Sequence, residues 1–163
     1  MGAGIAQVMA IAGHEVVCYD VSADALAAGR TGVDTSNSSG FPIAALAAAT
    51  DRPDRVVGWH WASPAPVMKL AEIVRAPSTS DETTATIVRL AAGAGKHPVV
   101  VKDAPTSWGY VANRVYFAMV REAQRVVQEG VAGRDEVDQL MVDCFRWPTG
   151  PFGMTRGAGS GWS

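Results

Sequence analysis

Two residues of this chain have the types and the spacing for shared proton chemistry: His60, set between Trp59 and Trp61, and Glu72, in the run Lys69 to Arg75. An apolar approach at Val56 and Val57 leads into His60, and Pro64 and Pro66 set a loop after it. Beyond the loop, Leu70, Glu72 and Val74 alternate onto one face if the run is a strand. A carboxylate on the apolar face of a strand is costly to bury without a partner. His60 and Glu72 lie equally far on either side of Pro66, so an antiparallel return of the chain brings imidazole and carboxylate face to face. A histidine oriented by a carboxylate is a general base. Spacing alone leaves the plainer reading open, with His60 an ordinary strand-end histidine and Glu72 pointing to solvent.

The elements around this pair alternate between helix and strand. Residues 2–12, GAGIAQVMAIA, read as a small-residue helix stopped by Gly13, followed by a β-rich run, HEVVCYD, that ends in an acid. A glycine-rich helix opening, a helix, a strand and a terminal acid make up the second half of a dinucleotide-binding βαβ unit. In that fingerprint Gly2, with Gly4 beside it, takes the place of the third glycine, and Asp20 that of the acid on the ribose. An ordinary packed helix and strand would read the same way. Ser22 caps a short helix over Ala23 to Arg30, and TGVDTSNSSG (31–40) reads as a polar linker or as a source of serine ligands. Phe41 to Ala49 reads as a short helix entered at Pro42. Thr79-Ser80-Asp81-Glu82 is a capping pattern for a helix with Thr84, Ile87, Val88 and Ala91 on one face, ending at Gly93 to Gly95. PVVVK (98–102) reads as a buried strand.

From Gly109 the pattern becomes wholly helical. Gly109 to Glu129 carries Val111, Val115, Ala118, Met119, Ala123 and Val126 on one stripe, closed by Gly130. Arg134 to Phe145 follows, with Val137, Leu140, Met141, Cys144 and Phe145 inward, and the tail RGAGSGWS reads as irregular. The division falls at residues 1–104 and 105–163.

The 163 residues suffice for a sizeable core, and 48% hydrophobic with 18% charged residues describes a globular chain. A net charge of −2 without a basic stripe argues against nucleic acid, and the apolar runs are too short to span a bilayer. Two cysteines, Cys18 and Cys144, read as reduced core residues. With no secretory pattern at the start, a cytoplasmic address is the expectation. No metal-ligand pattern stands out.

Several motifs, in order, resemble the 3-hydroxyacyl-CoA dehydrogenase family over most of the chain: MGAGIAQVMAIAGHEVVCYD, TSNSSGFPIAALA, DRVVGWHWASPAPVMKLAEIV, GKHPVVVKDAP, GYVANR and RWPTGPFGM. The resemblance implies an α/β fold, here an incomplete Rossmann-like doubly wound sheet followed by a partial all-helical domain used in dimerisation. It implies NAD-dependent oxidation of a 3-hydroxyacyl-CoA to the 3-ketoacyl-CoA, with an acyl-CoA substrate and a homodimer through the C-terminal helices. By position, His60 matches the family's general base, Glu72 its orienting carboxylate, Ser39 its substrate-contacting serine and Asn113 its substrate-holding asparagine. A hydroxyl and an amide suit that task, because they hold an alkoxide-like oxygen without competing for its proton.

The chain also departs from the family. Residue 1 falls inside the family's glycine loop, and strands and helices normal between Arg30 and Thr35 are missing. The family's HFFNP stands as HWASP, with Ser63 in place of the asparagine, and Thr106 to Trp108 is inserted before GYVANR. Two further readings follow. One keeps the NAD chemistry on a hydroxy acid without CoA. The other is a catalytically inactive family member that serves as a helical interaction module. Trp59, Trp61, Trp108, Trp147 and Trp162 fit either view, since a tryptophan more often belongs to core or interface than to an acyl-pocket wall.

Overall fold

Strands β2 (Val56–Trp61) and β3 (Leu70–Arg75) form an antiparallel pair, with Gly58, Trp59, His60 and Trp61 opposite Val74, Ile73, Glu72 and Ala71. All of β2 and the centre of β3 are buried, as β-branched and aromatic residues covered on both faces require. The computed structural model describes residues 2–15 and 34–159. It divides into two compact units, residues 1–111 and 112–163.

In the first unit β1 (Asp34–Ser36) runs parallel to β2, and β4 (His97–Lys102) runs parallel to β3, giving a four-stranded sheet in the order β1-β2-β3-β4. Among the described residues, the helices α1 (Gly2–Ile11), α2 (Ile43–Ala48) and α3 (Asp81–Gly93) flank the strands. Two apolar clusters result. In one, Trp59, Trp61, Ala71 and Ile73 pack with Val8 of α1 and Ile87 and Ala91 of α3. In the other, Val56, Val74 and Ala76 pack with Ile43 and Ala47 of α2 and with Tyr110. Gly58 is what lets α2 come this close, since a Cβ there would lie 2.8 Å from Ile43 Cδ1.

Local chemistry explains the ends of these elements. Gly13, at φ +84°, stops α1, and Gly95, at φ +71°, follows α3. Ser80 caps α3 by accepting from the Thr83 N–H at 3.1 Å. Thr79, which the sequence pattern counted among the capping residues, is buried and works elsewhere. Its hydroxyl donates to Val56 O at 2.7 Å and accepts from Ala76 N at 3.0 Å, tying the end of β3 to β2. Pro42 brings no side-chain cap to α2, and Asp103 reaches in after β4 to accept from Ala44 N at 2.8 Å.

Two strand expectations are corrected. Residues 34–36 belong to a strand and not to a linker, because backbone pairing with β2 holds a polar segment that has no apolar alternation. PVVVK is a strand but not a buried one: β4 is an outer strand among the described residues, and Val99 and Val100 are 56% and 48% exposed. The expected strand up to Asp20 and the helix of Ala23 to Arg30 fall, with Cys18, largely or wholly outside the described residues.

The second unit holds α4 (Ala112–Gln128), α5 (Arg134–Phe145) and α6 (Pro151–Gly159) around Ala123, Val137 and Phe152, with Val126 and Met141 packed against them. Asp138 anchors α6 by accepting from the N–H groups of Phe152 and Gly153, each at 2.8 Å. The tail expected to be irregular is therefore helical as far as Gly159. Much of the expected inward stripe lies open instead: Val115, Leu140, Cys144 and Phe145 are exposed. Among the described residues, no helix is long and apolar enough to cross a membrane.

Candidate active site

His60 and Glu72 are cross-strand partners at the centre of β2 and β3, both buried, with His60 Nδ1 2.8 Å from Glu72 Oε2. Glu72 Oε1 accepts from the Val111 N–H at 2.9 Å. The carboxylate thus accepts on both oxygens, as a buried acid requires. The pair is satisfied when Nδ1 carries the hydrogen, which leaves Nε2 as the basic nitrogen of the ring. Such an imidazole can take a proton from a hydroxyl while the carboxylate stabilises the cation that forms.

Strand alternation sends Trp59 and Trp61 to the opposite face from His60. There they stack with ring centroids 4.8 Å apart in the cluster under α1 and α3. They are core residues, and the acyl-pocket role considered for them does not hold. Behind them Lys96 is buried. Its ammonium donates to Ala65 O at 2.5 Å and Met68 O at 2.8 Å and lies 5.3 Å over the Trp61 ring, fixing the β2–β3 turn. Burial, and secondarily the nearby Lys69, pushes the Lys96 amine below its ordinary value. Ser63 lies exposed on that turn.

The serine-rich segment follows β1. Asn37 Oδ1 accepts from Trp61 N at 3.1 Å and so ties this loop to the residue after His60. Ser38 Oγ accepts from Phe41 N at 2.7 Å and Gly40 N at 3.2 Å. Ser39 lies exposed between these two fixed points. Asn113 is half-buried near the start of α4, in the other unit. Gly2 and Gly4 stand in the first turn of α1. Asp20 lies outside the described residues. Among those described, no three His, Cys, Asp or Glu side chains cluster as metal ligands.

Sequence reasoning missed Tyr110. It adopts φ +47°, directly after Gly109 at φ +97°. Its ring is buried, meets His60 edge-on with centroids 5.7 Å apart, and its hydroxyl donates to Phe41 O at 2.8 Å. Burial pushes the phenol above its ordinary value, and the charges of Asp103 and Glu72 add to this, against an opposing hydrogen bond with Ser38. The group therefore remains a neutral donor. A left-handed tyrosine leaves no mark in hydrophobic periodicity. The one available signal is the glycine before it.

Residues 1–36 and 32–104 match the family model described as 3-hydroxyacyl-CoA dehydrogenase, NAD binding domain, and residues 109–163 match the family's C-terminal domain. The chain belongs to the 3-hydroxyacyl-CoA dehydrogenase family. It is 44% identical over 119 residues to a probable 3-hydroxybutyryl-CoA dehydrogenase of Bacillus subtilis, covering 73% of this chain and 40% of that one. It is 39% identical over 129 residues to the human mitochondrial hydroxyacyl-coenzyme A dehydrogenase, covering 79% and 40%. The crystal structure of (S)-3-hydroxybutyryl-CoA dehydrogenase from Ralstonia eutropha superposes with a TM-score of 0.68 at 42% identity, covering 72% of this chain and 40% of that one. The matches to this dehydrogenase family thus span about 40% of the length of each of these relatives.

Proposed function

We propose that this chain carries the proton-transfer half of an NAD-dependent 3-hydroxyacyl-CoA dehydrogenase site, oxidising a 3-hydroxyacyl-CoA to the 3-ketoacyl-CoA. The observation that carries the reading is the buried His60–Glu72 pair at 2.8 Å, with its second carboxylate oxygen also occupied. In the reaction His60 Nε2 takes the proton of the 3-hydroxyl, and Glu72 stabilises the imidazolium. Bound NAD would accept the hydride that leaves the same carbon, and the oxygen keeps the electron pair that becomes the second bond of the ketone. Gly2 and Gly4 would hold the pyrophosphate and Asp20 the ribose. Ser39 would hold the reacting oxygen, and Asn113 the acyl-CoA end. The functional division is read as 1–104 and 105–163. It is supported by the family matches that end at 104 and begin at 109. A cytoplasmic homodimer formed through the C-terminal helices completes the proposal.

A second reading is favoured by one observation. Val115, Leu140 and Phe145 present open apolar surface on α4 and α5, which suits an interaction module without catalysis. Oxidation of 3-hydroxybutyryl-CoA with NAD, followed at the NADH absorbance band, separates the two. Turnover that falls about 10²- to 10⁴-fold in His60→Gln, with NAD binding kept, supports the dehydrogenase. A folded sample without turnover leaves the module.

A further inference from the structure

Glu72 is a carboxylate inside a sheet, and its geometry depends on a donor far away in sequence. Val111 N–H meets Oε1 at 2.9 Å while Oε2 faces His60 at 2.8 Å, so the two contacts together fix the carboxylate plane. The Val111 side chain is exposed and cannot itself guide this contact. The backbone guides it. Gly109 and Tyr110, at φ +97° and +47°, turn the chain so that the next N–H points at Glu72. A tyrosine holds a left-handed conformation only where its surroundings impose it. Here the imposing contacts are the buried ring against Ile43, Val56 and Val74, the hydroxyl on Phe41 O, and the seating of Gly109 on Gly40. A Cβ on Gly40 would lie 2.6 Å from Gly109 N, so the serine loop and this turn are in direct backbone contact.

We infer that Tyr110 and the Val111 amide are a positioning clasp, which holds the Ser36–Phe41 loop and the His60–Glu72 pair in one fixed relation. This deepens the dehydrogenase reading and rests on it, since a base and a substrate serine must meet the same oxygen. The clasp acts through Glu72 on the imidazole and through Phe41 on the loop.

The test uses the full chain without cofactor or substrate, so it can fail independently of the activity assay. Nitrogen-15 shifts report which ring nitrogen of His60 carries hydrogen in neutral protein. Val111→Ala keeps the amide and retains the Nδ1–H form. Val111→Pro removes the amide hydrogen and shifts His60 to the tautomer mixture of an unoriented imidazole. An unchanged tautomer in Val111→Pro, or an equal shift in Val111→Ala, overturns the clasp's hold on the pair. Tyr110→Phe keeps the ring and the turn and loses only the hydroxyl tether. Amide exchange at Gly40 and Phe41 should then speed up about tenfold, as expected for one lost hydrogen bond. Exchange at the wild-type rate overturns the hold on the loop.

Discussion

The β2–β3 pair and the helical unit treat apolar sequence in opposite ways. In β2 every residue from Val56 to Trp61 is buried, and the buried polar pair His60 and Glu72 has its partners within the first unit. In α5 only Val137 is buried, while Leu140 and Phe145 are 62% and 59% exposed. The first region is closed by its own residues. The second has surface available for something else to cover. Burial, rather than composition, decides where a substitution is felt.

Breaking the buried pair should produce the largest effect. Glu72→Ala takes the acceptor from the His60 Nδ1–H and from the Val111 N–H. It should cost about 3–5 kcal/mol in urea unfolding, as removal of one partner of a buried pair does. A loss below about 1 kcal/mol would mean that water enters and replaces the carboxylate. The next comparison sets one apolar truncation in each region. Ile73→Ala, fully buried, should cost about 2–5 kcal/mol. Leu140→Ala should stay within about 0.5 kcal/mol. If Leu140→Ala costs as much as Ile73→Ala, and does so only at high protein concentration, the open face of α5 is an interface between copies.

The same contrast explains which features were legible in the sequence. The symmetry of His60 and Glu72 about Pro66 is a local property of a hairpin, and local spacing predicts it. Strand alternation along β2 places Trp59 and Trp61 on the face opposite His60, because adjacent residues cannot share a face. The apolar run PVVVK reports strand propensity, whereas burial depends on what covers the two faces of the strand. Asp34 to Ser36 carries no strand signature of its own, because a short polar strand is held through its neighbour's backbone. The long-range ties stayed hidden: Asp103 on α2, Thr79 on Val56, and Val111 on Glu72. Each joins residues whose distance along the chain says nothing of their distance in space. Ser39 and Asn113 came from family likeness, and no spacing rule would have picked them out.

Lys96 tests how far closure of the first unit extends, through the smallest of these effects. Its ammonium is buried behind Trp61 against two carbonyls and the ring face, with the Lys69 charge nearby. Burial holds its folded pKa below the ordinary 10.5 of the unfolded chain. Between those two values the unfolded chain binds more protons than the folded one, so stability rises with pH there; below the folded value both states are protonated and the slope vanishes. The slope from one group is at most about 1.4 kcal/mol per pH unit. Urea unfolding of wild type and Lys96→Met from about pH 7 to about pH 10 isolates that slope as the difference between the two curves. Wild type should gain on the variant as pH rises. A difference running the other way would mean that the Ala65 and Met68 carbonyls and the Trp61 face favour the ammonium by more than burial opposes it, making this corner of the core a true cation site.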